Sequence, residues 1–287
     1  MFAIYQKELK SYFNNLFGYL YIAIILFFMG LFTSIISFKQ TYSDLALSFD
    51  YLSLVVLLVT PLLTMRSIAE ERQKKTDQLL YSLPVSVSSV VIAKYLALLT
   101  VFAIPMAVIC LYPFVLSSFG MINFARTFGY ILSFFLMGAC LLAIGLFISS
   151  LTENQIISAV ISFVAMLIIY FSSALASLVP ATSQSSFVAF TVMAILFGVI
   201  VYVMVKNYVI ALGASAVCEV TLALLFSKNQ TMFEGLFGKV IGWISVYERC
   251  YNFYMGIFDL TAVVYFLSVI FLFVFLTVQS VEKRRWS

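Results

Sequence analysis

The sequence contains no histidine and few charged residues. Its 287 residues include 16 basic and 12 acidic side chains, so only 10% of the chain is charged, whereas 64% is hydrophobic. Without histidine, the chain lacks the usual general base near neutral pH, the commonest metal ligand and every catalytic arrangement that pairs serine or cysteine with histidine. Because a soluble domain carries about 25% charged residues, the composition excludes a soluble globular protein and indicates an integral membrane protein.

Cysteine and glycine patterns exclude further kinds of site. The four cysteines, Cys110, Cys140, Cys218 and Cys250, are scattered and form no CxxC pair, so we expect small hydrophobic residues in packed helices. In the segment 235–239, only two residues separate the glycines that precede a lysine, which is too few for a phosphate-binding loop. We therefore predict no catalytic residues, and no metal or cofactor bound by this chain.

Long charge-free runs indicate membrane-spanning helices. The longest covers the 52 residues 154–205, enough for two spans of about 20 residues, and a polar cluster around Pro180 marks the turn between them. We predict an all-α integral membrane protein with about eight transmembrane helices, organised as a single domain over residues 1–287. The predicted spans are 16–38, 51–67, 90–114, 128–149, 156–178, 187–205, 208–227 and 260–280.

The basic residues predict the orientation of these spans. An even number of spans places both termini on the same side of the membrane. With the termini in the cytoplasm, most basic residues are cytoplasmic, as the positive-inside rule requires, and the opposite orientation would violate that rule. We therefore predict a multi-pass protein whose N- and C-termini are both cytoplasmic.

The N-terminal segment 1–15 is amphipathic. Apolar residues recur every three or four positions from Phe2 to Leu16, opposite polar residues that include Lys7 and Glu8. This spacing predicts an interfacial helix that lies in the plane of the lipid headgroups. A simple cytoplasmic extension of the first span is the alternative.

Residues 228–259 are rich in aromatic side chains but carry too many charges for a span. We predict re-entrant or amphipathic helices at the outer face of the membrane, surrounded by protein or water. In this segment Glu248, Arg249 and Asp259 are candidates for an outer gate. An aromatic belt at the membrane interface explains the tyrosines of the segment equally well.

Glu219 is the only acidic residue in the middle of a predicted span. A charge at that depth costs on the order of 3 kcal/mol, so we expect the carboxyl group to be protonated or to face the helix bundle. One interpretation is a structural hydrogen bond. The other is a substrate or proton site, which would suit an ion- or proton-coupled secondary transporter, the alternative function for this chain.

The densest charge lies in the loop between the second and third spans, on the predicted cytoplasmic side. Seven charged residues lie from Arg66 to Asp77, and a leucine-rich turn that ends at Pro84 follows them. The pattern predicts a helix that leaves the membrane and then a short helix with an apolar face. Composition alone leaves two interpretations open: a segment gripped by a soluble partner, or a solvated loop.

Motifs in this loop and the span after it occur in a fixed order. They are Ala69-Glu70-Glu71-Arg72 through Thr76, Leu79-Leu80-Tyr81-Ser82-Leu83-Pro84-Val85-Ser86, and Val91-Ile92-Ala93-Lys94-Tyr95-Leu96. Together they resemble the signature of type-2 ABC transporter permeases, the bacterial exporter class, and most of all its gliding-motility-type subgroup. The C-terminal stretch from Gly256 to Trp286 and the N-terminal Lys7-Glu8-Leu9 resemble the same subgroup.

The sequence departs from the family pattern in two places. Lys75 stands where the family often has glycine, so we expect the loop backbone to differ there. Residues 187–227 look like an extra helical hairpin beyond the usual six spans.

The resemblance implies a permease subunit of an ATP-driven exporter in the bacterial cytoplasmic membrane. Such a chain forms the translocation pathway as a dimer with an identical or related permease. It docks two cytoplasmic ABC ATPase subunits, which bind the ATP and magnesium. It can take an accessory membrane subunit, and no nucleic-acid partner is implied. We call residues 68–87 the coupling loop. By position, the resemblance assigns ATPase coupling to Glu70, Glu71, Arg72, Thr76, Leu79, Leu80, Leu83 and Pro84.

Overall fold

The computed structural model describes residues 1–38, 45–76, 85–205 and 208–285. Over these ranges the chain is predominantly helical and none of it forms a strand, which confirms the all-α prediction. The helices are α1 (Phe2–Asn14), α2 (Leu16–Thr33), α3 (Ala46–Thr64), α4 (Ala69–Gln73), α5 (Val87–Ile109), α6 (Tyr112–Ser117), α7 (Phe124–Leu151), α8 (Gln155–Tyr170), α9 (Ser172–Leu178), α10 (Ser183–Val205), α11 (Tyr208–Lys228), α12 (Leu236–Ile244), α13 (Tyr251–Tyr254) and α14 (Leu260–Arg285). Helices are the expected form of a chain that crosses lipid, because no water is present there and each helix pairs its backbone N–H and C=O groups internally.

Five described segments are long and apolar enough to cross a membrane. They are Leu16–Ile36, Ala46–Gln73, Val87–Leu116, Phe124–Leu151 and Leu260–Arg284. Each one overlaps a predicted span. The predicted spans 187–205 and 208–227 correspond to α10 and α11.

The predicted span 156–178 is divided into α8 and α9. The break falls at Phe171, and the hydroxyl of Ser172 donates a hydrogen bond to the carbonyl oxygen of Ile169 at 2.8 Å. A serine that bonds to the backbone in this way competes with the helical hydrogen-bond ladder. The run of apolar residues alone did not reveal this interruption.

Polar side chains mark where several helices begin. Ser86 and Asn123 accept hydrogen bonds from backbone N–H groups in the first turns of α5 and α7, at 3.4 and 3.2 Å. Asn154 and Thr182 do the same for α8 and α10, at 2.8 and 3.3 Å. Each of these caps satisfies a donor that the helix itself cannot pair, so the starts of these helices are set by local sequence.

The chain forms two compact units, Met1–Leu167 with Arg249–Ser287, and Ile168–Glu248. In the first unit α7 is the central helix, since 78% of its most apolar stretch is buried, compared with 17% for α14. Helices α3, α5 and α14 pack against α7. The outer surface of α14 is apolar, as a helix that faces lipid must be.

In the second unit, α10 packs against α11, and α9 packs against α12. The rings of Phe187 and Phe226 lie 4.6 Å apart, and Phe233 contacts Phe226 at 5.3 Å. Because Phe187 is near the start of α10 and Phe226 is near the end of α11, the two helices are antiparallel. Helices α10 and α11 therefore form a hairpin with an aromatic cluster at its open end.

Helices α3 and α7 approach closely at a glycine. A Cβ atom on Gly145 would lie 2.5 Å from Oγ1 and 2.9 Å from Cβ of Thr64, so no larger side chain can stand there without a shift of the helices. Small residues at helix interfaces allow such contact in membrane proteins. The contact lies near the end of α3, from which the coupling loop continues.

We predict that Gly145→Ala lowers the stability of the protein by about 1–3 kcal/mol, because it overfills the α3–α7 contact. The matched control is Gly213→Ala in α11, where an added Cβ meets nothing within 4 Å. That change should be neutral or stabilising, since alanine is the better helix former. Thermal unfolding of both variants in detergent, followed by circular dichroism, measures the difference; equal unfolding temperatures would contradict the close contact.

Candidate functional site

Lys94 is a buried lysine within the apolar helix α5, with a side chain only 3% exposed. Its Nζ lies 3.0 Å from Oε1 of Glu8 in α1 and 2.8 Å from Oε2 of Glu71 in α4, and it donates to the carbonyl oxygen of Ser67 at 2.8 Å. An ammonium group has three N–H donors, so these three acceptors satisfy it. The contacts compensate for the cost of burying a charge, which an unpaired lysine would bear in full.

A second lysine contacts the same carboxylates from the outside. Nζ of Lys7 lies 3.0 Å from Oε1 of Glu71 and 3.6 Å from Glu8, but its side chain is 59% exposed. Water screens this lysine more than the buried Lys94, so its contribution is smaller. We call Lys7, Glu8, Glu71 and Lys94 the charge cluster; two positive and two negative side chains make it electrically neutral.

Glu70 points to a different set of partners. Its carboxylate accepts hydrogen bonds from Arg66 at 2.6 and 3.1 Å and from Lys74 at 2.7 Å. The guanidinium of Arg66 also lies 4.1 Å above the ring of Phe17 in α2, a cation–π contact. The adjacent glutamates Glu70 and Glu71 therefore bind to different partners, the first to residues just before and just after α4 and the second to α1 and α5.

Residues of α7 hold the start of α4 in place. The hydroxyl oxygen of Ser149 accepts hydrogen bonds from the backbone N–H groups of Ile68 at 3.2 Å and Ala69 at 3.0 Å, which caps the short helix. Arg72 is buried, and its Nη1 donates to the carbonyl oxygen of Ser150. The same carbonyl accepts a hydrogen bond from Ser280 in α14 at 3.2 Å.

The end of α4 is a Schellman motif centred on Lys75. The backbone N–H of Thr76 donates to the carbonyl oxygen of Glu71 at 2.9 Å, and that of Lys75 donates to the carbonyl oxygen of Arg72 at 3.0 Å. Lys75 has φ of 56°, in the left-handed region that glycine favours. A lysine therefore adopts here a backbone conformation in which glycine is ordinarily favoured.

Four of the predicted coupling residues, which are neighbours in sequence, lie in the described part of the coupling loop. Glu70, Glu71, Arg72 and Thr76 all lie within or directly after α4 and bind to neighbouring elements or to each other's backbone. The four remaining predicted coupling residues, Leu79, Leu80, Leu83 and Pro84, lie outside the described residues.

Glu219 lies in the second unit, halfway along α11, at a groove between α10 and α11. The groove has a volume of about 580 Å³ and is lined by Ile195, Gly198, Val199, Tyr208, Leu212, Ser215, Ala216 and Glu219. Its walls are mainly apolar, and Glu219 is the charged residue among those that line it.

The candidate gate residues make local contacts. Asp259 accepts hydrogen bonds from the backbone N–H groups of Thr261 at 2.8 Å and Ala262 at 3.4 Å, so it caps α14. Hydrogen bonding from the Asn252 amide, 2.7 Å away, holds the pKa of Asp259 below its usual value. The guanidinium of Arg249 lies 5.1 Å above the ring of Tyr265.

Glu248 is in the other unit. Its backbone N–H donates to the hydroxyl oxygen of Ser245 at 3.2 Å, and its carboxylate lies close to Gly242. Each of the three candidate gate residues thus has a structural role of its own within its unit.

Sequence reasoning missed the partners of the coupling segment. Glu8 belongs to the polar side of α1 by sequence, yet it is only 6% exposed. Lys94 belongs to one of the sequence motifs, and a lysine a few residues into an apolar run indicates a buried partner. Ser149 and Ser150 carried no sequence signal, because serines are common in membrane helices.

The contacts of the site fix helices relative to one another. Each carboxylate of the charge cluster is neutralised by a lysine, which leaves neither as a general base. Within the described parts of the chain, no group of three or more cysteine, aspartate and glutamate side chains gathers as a metal ion would require. Instead, salt bridges and hydrogen bonds join α4 to α1, α5 and α7.

We predict that Lys94→Met destabilises the protein by about 3–5 kcal/mol, since it leaves the buried carboxylates of Glu8 and Glu71 with only the exposed Lys7. Replacing Glu71 by Gln in the same chain should recover part of the loss. The control is Lys74→Met, because Lys74 is 66% exposed and pairs with Glu70 at the surface, so about 1 kcal/mol or less is expected. Chemical denaturation in detergent measures all three; similar losses for Lys94 and Lys74 would contradict the buried charge cluster.

Comparison with known proteins supports the resemblance seen in the motifs. The family model described as ABC-2 family transporter protein matches residues 38–278, which is most of the chain. No curated protein matches the sequence. The matched region contains four of the five long apolar segments in full or nearly so, together with the coupling loop. The chain belongs to the ABC-2 transporter family and is a multi-pass membrane permease of an ABC transporter.

Proposed function

We propose that this permease is an exporter subunit that works as a dimer and is driven by two cytoplasmic ATPase subunits docked on the coupling loop. The observation that carries the proposal is the charge cluster, which joins the start of the coupling loop to α1 and α5. A docking element must be fixed to the spans that it moves. The buried position of Lys94 provides such a fixed connection.

The contacts around α4 support a mechanism of force transmission. Glu71 connects α4 to α1 and α5, Ser149 connects it to α7, and the carbonyl of Ser150 connects Arg72 with α14. If the ATPase pair closes on ATP and pushes on the coupling loop, α4 moves as a rigid piece together with these helices. Rigid-body rotation of packed elements about an interface is a common way to convert a local push into a large change.

The proposal assigns ATP and magnesium to the ATPase partner. It also includes the arrangement inferred from the sequence: eight crossings, cytoplasmic termini, an extra hairpin at 187–227 and outer-face helices in 228–259. Membership of an ABC family favours ATP-driven transport over the ion-coupled alternative. The gliding-motility-type subgroup and an accessory membrane subunit belong to the proposal on the motifs alone.

We expect Leu80→Asp or Leu83→Asp to abolish co-purification of the ATPase while membrane insertion remains normal, because a charge at either position would disrupt an apolar docking face. The control is Met121→Asp, at a fully exposed residue between α6 and α7 on the proposed outer side. That variant should retain the ATPase. Normal amounts of ATPase with both leucine variants would make the coupling assignment wrong.

The orientation can be tested by lysine labelling in intact cells with a membrane-impermeant amine reagent. Lys75 and Lys239 are both exposed, the first in the coupling loop and the second in the proposed outer-face segment. We expect Lys239 to be modified in intact cells and Lys75 only after the membrane is opened. Mass spectrometry of the peptides identifies the modified lysine, and labelling of Lys75 from outside would overturn the proposed topology.

A further inference from the structure

The groove between α10 and α11 has features of a ligand site that the coupling mechanism does not use. Its volume of about 580 Å³ lies within the range of small-molecule sites, about 300–1,000 Å³. Its wall consists mainly of apolar side chains with few polar groups, the usual composition of such sites. The groove lies entirely within the second unit, and its residues are far from the coupling loop along the sequence.

The lining residues form one continuous face on each helix. On α11 they are Tyr208, Leu212, Ser215, Ala216 and Glu219, which recur every three or four positions. At a rise of 1.5 Å per residue, Tyr208 and Glu219 are about 16 Å apart along the helix axis. The groove is therefore elongated, with an aromatic ring near one end and a carboxylate near the other.

The opposite wall comes from α10. Ile195, Gly198 and Val199 line it, and the glycine leaves room where a larger side chain would fill the space. The small residues Ser215 and Ala216 have the same effect on α11. The hydroxyl of Ser215 donates to the carbonyl oxygen of Leu212 at 3.1 Å, so its O–H group is already paired within α11.

The carboxylate of Glu219 favours a ligand that carries a positive charge. Glu219 is half-buried and lies between neutral side chains, and within the described residues it forms no salt bridge. A carboxylate in an apolar helix is unfavourable unless a positive group pairs with it. A ligand that carries a cationic head would supply that partner, while its apolar body would cover Leu212, Val199 and Ile195.

We propose that this groove binds an amphipathic organic cation, with the cationic head at Glu219 and the apolar tail extending toward Tyr208. Charge complementarity selects a cation over an anion, and the elongated apolar walls select a molecule with a long tail over a small hydrophilic ion. Movement of such a ligand across the membrane rests on the proposed function, but its binding does not, because binding needs neither ATP nor the ATPase.

The test is equilibrium binding of radiolabelled dodecyltrimethylammonium to the full-length permease in nanodiscs of neutral phosphatidylcholine. We expect Glu219→Gln to weaken binding at least tenfold, since it removes the charge but keeps the shape of the side chain. Leu212→Trp, which narrows the groove, should also weaken it. The matched control is Glu234→Gln, which removes an exposed carboxylate of the same unit that does not line the groove, and it should bind as the unchanged protein does.

Competition by ligands with a tail of the same length shows whether the positive charge or the apolar tail accounts for binding. Neutral dodecanol and anionic dodecanoate should compete at least tenfold less well than the cation for the unchanged protein. Equal competition by dodecanol would overturn the proposal, because the groove would then be only an apolar surface. Unchanged cation binding by Glu219→Gln would overturn it as well.

A second copy of the chain is the other occupant that the test must distinguish. If Glu219→Gln lowers the dimer fraction on size-exclusion chromatography and leaves cation binding unchanged, the groove is a subunit contact and the proposal is wrong. Circular dichroism of Glu219→Gln should match that of the unchanged protein, which excludes misfolding. Loss of ATPase co-purification in the coupling-loop variants is a separate result and has no bearing on this measurement.

Discussion

A lysine ammonium buried between two carboxylates holds one end of the first unit together. Nζ of Lys94 reaches Glu8 and Glu71, which lie 86 and 23 positions away along the chain. In apolar surroundings each of these charges is costly alone and acceptable only with its partners. The amphipathic helix α1, the short helix α4 and the long helix α5 must therefore keep one arrangement for the protein to remain stable, and that arrangement defines where the coupling loop begins.

Hydrogen bonds and close helix packing complete this arrangement. The hydroxyl of Ser149 caps α4, and Arg72 is joined to α14 through the carbonyl of Ser150. Gly145 lets α3 and α7 approach closely just before the chain enters the coupling loop. Polar contacts at the end of the bundle and close packing within it thus act on the same segment. The start of the coupling loop is therefore joined to several spans at once.

The second unit is built differently. Its hairpin of α10 and α11 has an aromatic cluster at one end and small residues in the middle, and the small residues leave a groove rather than a packed contact. Within the described residues, the carboxylate of Glu219 at this groove forms no salt bridge. The carboxylates of Glu8 and Glu71, in contrast, share two lysines. Acidic side chains therefore have different surroundings in the two units: those of the charge cluster join helices, whereas that of Glu219 lines a groove.

Much of the fold followed from the sequence, because the relevant forces are local. Composition determined that the chain is a membrane protein, charge-free runs determined where the long helices lie, and side chains such as Asn123 set where helices begin. The motif around Glu70 and Glu71 indicated a type-2 ABC permease, which the match to the ABC-2 transporter family confirms. Asp259 could also have been recognised as a helix cap from its position directly before an apolar run.

The tertiary structure alone decided which charges pair and which helices approach. Sequence periodicity placed Glu8 on the polar side of α1, but packing against α5 buries it beside Lys94. The groove at Glu219 requires the facing residues of α10, and the caps from α7 require its end to lie beside α4. These contacts join residues far apart in the chain, and their energies depend on burial and distance, which the order of residues does not contain.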